Sequence, residues 1–215
     1  MIPSHPSAHT ARLLQPALAT EILDFWLGDG LMLGWPSSDL NQRWFLGGTT
    51  LDDEIRTRFG PAVQQALQGE LKDWESALHP RLALVILLDQ FSRNVFRGTA
   101  RAFDGDAHAR QLALQTLDSR EHLQLPWVGR VFLCMPLMHA EEAALQARSV
   151  ASFSQLVADT PADLALKLQG NLDAALQHQD IIARFGRFPY RNAVLGRTNT
   201  PEENYFLRDG PRFGQ

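Results

Sequence analysis

The sequence predicts an all-α fold of about nine or ten helices in one domain. Three observations carry this. Helix start and stop signals recur along the whole chain, strand alternation and Asn-Gly hairpin signals are nearly absent, and the connections between apolar segments are short. With 215 residues, 45% of them hydrophobic and 20% charged, the chain is long enough for one substantial core and too short for two.

Taken in order, residues 1–15 lack the charged start and long apolar run of a secretory signal and are expected to form a flexible arm, leaving 16–215 as the domain. Pro16 opens a helix through Leu27, closed by Gly28 and Gly30. Ser37, Ser38 and Asp39 precede a short amphipathic piece holding Trp44 and Phe45. Thr50 with Asp53 has the spacing of a capping box, which returns at Thr160 with Asp163 and at Thr200 with Glu203, the last two with proline at the first helical position. Further helices are expected over 61–68, 80–93, 105–119, 126–135 and 136–158, with a long one from Pro161 to a cap at Gly186. Short connections make antiparallel helix pairs the natural packing.

Composition excludes several function classes. A net charge of −4 and a pI near 6.0 give no global field for nucleic acid or an acidic membrane surface. The longest apolar run, Leu82 to Leu88, is far short of the roughly 20 residues that span a bilayer. One cysteine, Cys134, permits no intramolecular disulfide, and no Cys/His spacing suggests structural zinc. These features predict a cytoplasmic protein without a metal, a cofactor, or a nucleic-acid or membrane partner.

Two segments concentrate polar chemistry. In LLDQFSRNVFRG, 87–98, the preceding residues Leu84 to Leu88 cover every side of a helix, which marks it as buried; Asp89, Gln90 and Arg93 then extend from its end. Asp89 and Arg93 are four apart and able to pair. If that pair is enclosed, removing one partner costs about 3–5 kcal/mol, so a structural network and a functional site both fit. In RFGRFPYRNAVLGR, 184–197, Arg187, Arg191 and Arg197 follow on an irregular stretch without an acidic residue. Guanidinium forks suit carboxylate or phosphate, and equally suit helix C-terminal carbonyls and Asp89.

On the helix expected over 136–158, Met135, Leu145, Phe153 and Leu156 define an apolar arc that includes Glu142 and Met138, with His139 at its edge. A core-facing carboxylate must be paired, protonated or lining a cavity. On the long helix, Leu164, Leu168, Leu172, Ala175 and Ile182 form a buried arc that holds His178, while Asp180 and Arg184 point away as a solvated pair.

Together ILDFWLG (22–28), LALVILLDQFSRNVFRGTARAF (82–103), FLCMPLMHAEE (132–142), RFGRFPYRNAVLGR (184–197) and TPEENYFL (200–207) resemble the bacterial domain-of-unknown-function family 924. The resemblance covers nearly the whole chain after the arm. It implies antiparallel helix pairs in a compact right-handed superhelix similar to tetratricopeptide-repeat proteins, and no activity. Asp89, Arg93, Asn94, His139, Glu141, Arg187, Arg191 and Asn192 match the family pattern, whereas Ser92, Met138 and Tyr190 stand where proline, glutamate and histidine are common.

The leading expectation is a binding module whose polar groove captures an anionic small molecule or an acidic peptide. Arg93, Arg187 and Arg191 would bind the anion, Asn94 and Asn192 orient it, and Asp89 hold the guanidiniums. The alternative is a hydrolase or transferase on an anionic substrate, with His139 or His178 as base and Glu142 as its partner. A third reading is that these motifs mainly lock the fold.

Overall fold

The computed structural model describes residues 8–211 and 213, with side chains from residue 17 onward. Its α-helices are α1 Ala8–Leu27, α2 Gly30–Leu33, α3 Thr49–Leu67, α4 Leu78–Ile86, α5 Ser92–Val95, α6 Asp106–Asp118, α7 Trp127–Met138, α8 Ala143–Asp159, α9 Ala162–Phe185 and α10 Pro201–Asp209. Short 3-10 and π-helical turns join several of them, and no strand occurs among the described residues. The all-α class and its construction from helix pairs are realised. α7 packs on α8 and α8 on α9, each pair joined by a connection too short for anything but a hairpin.

The centre is α4. Leu82 to Ile86 are all buried, so the helix that is apolar all round sits inside, against α1, α6 and α7. It does not stop where its apolar residues end. Leu87–Phe91 continue as a π-helical turn that leads directly into α5. A π turn fits one extra residue and re-aims the side chains beyond it, and such turns concentrate at functional sites. The Leu87 carbonyl accepts both the Ser92 backbone N–H, in the wider π ladder, and Ser92 Oγ at 3.0 Å.

Gly105 lets α6 start against this turn. A Cβ at Gly105 would lie 2.4 Å from the Leu88 carbonyl oxygen, so only glycine allows the approach. The next residue, Asp106, is thereby delivered to the polar end of the central rod.

The structure moves several expected boundaries. α1 begins at Ala8 and contains Pro16, so residues 8–15 are helical backbone where an arm was expected; residues 1–7 lie outside the described residues. Pro136 does not open a helix but lies in the last turn of α7. The break falls at 139–142 because the buried Gln146 amide donates to the carbonyls of Met138 and Ala140, both at 2.7 Å, closing acceptors that a helix end leaves unpaired. Glu142 consequently sits at the N-cap of α8, exposed, 3.4 Å from Arg110, and not on a buried arc.

Of the three expected capping boxes only Thr200 with Glu203 forms. Thr50 lies inside α3, and Thr160 Oγ1 donates back to Leu156 instead. Both failed motifs have aspartate, one methylene shorter than the glutamate that reaches back to the N-cap amide. Arg184 Nε pairs with Glu202 at 2.9 Å rather than with Asp180. Gly186 does cap α9, at φ 69°.

Gly105→Ala is expected to lower the unfolding free energy by about 1–3 kcal/mol, the usual cost of forcing extra volume into packed structure. Thr200→Ala should cost about 1 kcal/mol, while exposed Thr50→Ala stays within about 0.5 kcal/mol of the parent in the same urea titrations.

Candidate functional site

A cavity of about 990 Å³ opens beside the polar end of the central rod. One part of its lining is aromatic: Trp26 from α1, Trp35, and Trp44 and Phe45 from a second π turn, Gln42–Leu46. Trp44 is fixed by its indole N–H, which donates to the Trp26 carbonyl at 2.8 Å, and it meets Trp35 edge to face at 5.8 Å. Another part is cationic or imidazole: Arg93, Arg97, His139, Lys167, His178 and Arg191.

Behind this polar part lies Asp89, 1% exposed. His139 Nδ1 stands 2.8 Å from Asp89 Oδ1; the Gln90 amide donates to the other oxygen, and Arg93 lies 3.4 Å from Oδ1 while donating to the Asp89 carbonyl. Burial pushes the Asp89 carboxyl up, but the His139 and Arg93 charges and the hydrogen bonds from His139 and Gln90 outweigh it and hold the group below the usual carboxylate range. An ionised carboxylate only accepts, so His139 Nδ1 carries the hydrogen, and in the neutral form of the ring the lone pair falls on Nε2. Sequence reasoning assigned His139 a partner in Glu142; the π turn gives it Asp89 instead.

His178 lines the same cavity. Its Nδ1 donates to Ala174 at 2.8 Å, and burial, with the His139 charge, drives its pKa down to about 3, so it is neutral. Phe213 lies against its ring at a centroid distance of 3.9 Å.

The arginines differ in how fully they are paired. Arg93 is held by Asp89 and by Asp106, 3.0 Å away. Arg97 places Nε 2.6 Å and Nη2 2.8 Å from Asp52, which also takes the Asn94 amide at 2.8 Å, so Asn94 lines the cavity with its donor already engaged. Arg187 forks onto Glu203 at 2.7 and 2.9 Å and does not line this cavity; Asn192, fully buried, donates to Asn199. The Arg187 pair ties the 184–197 stretch to α10. Arg197 pairs with Glu141, whose Oε1 also accepts the Phe188 amide.

Arg191 stands apart. It is 4% exposed, its guanidinium lies over the Phe103 and Phe188 rings, and Nη1 donates to the His139 carbonyl at 3.0 Å. The Asp106 carboxylate is 3.6 Å away, and Nε and Nη2 have no hydrogen-bond partner among the described residues. Burial lowers its pKa, as expected of a guanidinium that lacks a close acid.

Residues 22–211 match the model of the family described as bacterial protein of unknown function (DUF924). The chain belongs to this family. It is 35% identical to a solved structure described as a protein of unknown function, ATU0120, from Agrobacterium tumefaciens, covering 91% of this chain and 99% of that one at a TM-score of 0.75. No curated protein matches.

In this DUF924 chain, Met138 and Tyr190, two of the three departures noted in the sequence, both line the cavity, while Ser92 is buried at the π turn. Asp106, Asp52 and the Trp35–Trp44 pair escaped sequence reasoning. Only Gly105 beside Asp106 hinted at a close approach. Cys134 is buried outside the lining, its thiol pushed up to about 12 by burial, which fits an inert core residue. Among the described residues no group of three or more His, Cys, Asp or Glu side chains is placed to hold a metal ion, and no helix is long and apolar enough to cross a membrane.

Hydrogen bonds from Arg187 hold the Glu203 carboxyl down to about 2, from an ordinary value of 4.5. As pH falls the unfolded chain takes up this proton first, so the stability that Glu203 contributes is present above 4.5 and lost between 4.5 and 2. Thermal melts across that window should show a shallower decline for Glu203→Gln than for the parent chain.

Proposed function

We propose that this chain binds a small amphiphilic anion, with the acidic group on Arg191 and the apolar body against the tryptophans. The observation that carries this is a buried guanidinium, 4% exposed, that lines a large cavity with no acid closer than Asp106 at 3.6 Å. A buried charge is stable only with a counter-charge, so a cation this weakly paired beside a cavity favours an anion in it. Arg93 and Arg187, expected to share the role, are already matched by Asp89, Asp106 and Glu203.

Volume and lining favour a small molecule over an acidic peptide. About 990 Å³ lies at the upper end of small-molecule pockets. An acidic peptide would need several weakly paired cations, whereas among the described residues Arg93, Arg97, Arg187 and Arg197 are each matched by a close carboxylate. Lys167, exposed on α9 where it meets the cavity, adds a second positive charge that draws anions inward.

Decanoate, well below its micellar concentration, is expected to raise the melting temperature of the parent chain, by about 2.7 kcal/mol of stabilisation at a hundredfold excess over Kd. Arg191→Met should fold and lose this shift, whereas Arg187→Met should melt lower yet keep it. An equal shift with uncharged decanol would overturn the anion reading.

A further inference from the structure

We propose that the same site is hydrolytic: His139, positioned by Asp89, acts as general base on a water that attacks a carboxylic ester of an apolar acid, with the charge of Arg191 stabilising the oxyanion. This rests on the binding reading above, because the carboxylate product is the amphiphilic anion that Arg191 holds.

The geometry supplies each part. Nδ1 of His139 is engaged by a carboxylate with 1% exposure, and its Nε2 has no hydrogen-bond partner among the described residues. A base whose tautomer and ring plane are fixed from behind is the arrangement that general-base catalysis by imidazole requires. Arg191 is tied to the same residue through the His139 carbonyl, so the base and the guanidinium charge keep a set relation. His139, Arg191 and Phe103 also line a second pocket of about 250 Å³, whose other residues include Asp106, Arg110, Glu141 and Arg197. The three residues therefore form the partition between a large cavity with an aromatic wall and a small polar one. An acyl chain fits the first side and water the second.

No serine, threonine or cysteine is hydrogen-bonded to His139 among the described residues, so water attacks directly and no acyl-enzyme forms. Nε2 removes a proton from water as its oxygen bonds to the carbonyl carbon. The carbonyl electron pair moves to oxygen, where the positive charge of the Arg191 guanidinium stabilises it. On collapse the bond from carbon to the alcohol oxygen breaks, the imidazolium returns its proton to that oxygen, and the acid and the alcohol leave. The acid ionises onto Arg191, and the base is regenerated. His178, its own Nδ1–H spent on Ala174, faces the cavity as a neutral acceptor and does not compete for the proton.

The test uses p-nitrophenyl octanoate, with decanoate binding followed in parallel on the same full-length proteins. The parent chain is expected to turn the ester over, with decanoate as a competitive inhibitor, and His139→Gln to lose at least about 100-fold in kcat while still binding decanoate. Asp89→Asn should lower kcat with KM unchanged, as a positioning residue does; should that variant not fold, His139→Gln alone decides. Turnover that persists in His139→Gln overturns the proposal. Decanoate binding without any turnover by the parent chain overturns the hydrolytic step and leaves the binding reading standing; absence of both overturns the two together.

Discussion

Everything at the polar end of this molecule depends on keeping one buried carboxylate ionised. Asp89 is placed inside by a π turn that extends the most apolar helix of the chain, and an isolated charge there would be prohibitive. It is tolerated because His139, Gln90 and Arg93 converge on it from α7, from the turn and from α5. Each of these partners is oriented in return. The carboxylate sets the imidazole tautomer, and together with Asp106 it pins Arg93.

From that centre the charges can be followed outward. Arg93 takes Asp89 and Asp106, Arg97 takes Asp52, Arg197 takes Glu141 and Arg187 takes Glu203. These pairs tie α3 to the segment that follows α5, and the 184–203 segment to itself and to the α7–α8 connection, which is the structural reading of the arginine-rich motifs. Arg191 is the exception. Its nearest acid, Asp106, lies 3.6 Å away and also serves Arg93, so Arg191 is the least closely paired guanidinium of this set and sits beside the cavity.

How much was legible depended on range. Burial of Leu82 to Ile86, the buried arc of α9 with His178 on it, the Gly186 cap and the Thr200 capping box all follow from residues within a few positions of one another, and all appear as expected. Misreadings came where a local rule met a stronger competitor. Pro136 reads locally as a helix start, but Gln146 closes the carbonyls of Met138 and Ala140, and that shift carries Glu142 from an expected core arc to the surface. Arg187 and Asn192 carry the right chemistry for an anion and spend it on Glu203 and Asn199.

The helical class, the central buried helix and the set of polar residues from which a site could be drawn are all written in short spacings, because helix periodicity, capping and hydrophobic burial are local. Which of those residues meet is a property of the folded chain alone. Asp89 and His139 are 50 positions apart, Arg191 and His139 are 52, and the tryptophan wall comes from yet another segment. Whether an arginine is free or satisfied depends on which acids the fold brings within about 4 Å, and no local spacing encodes that distance.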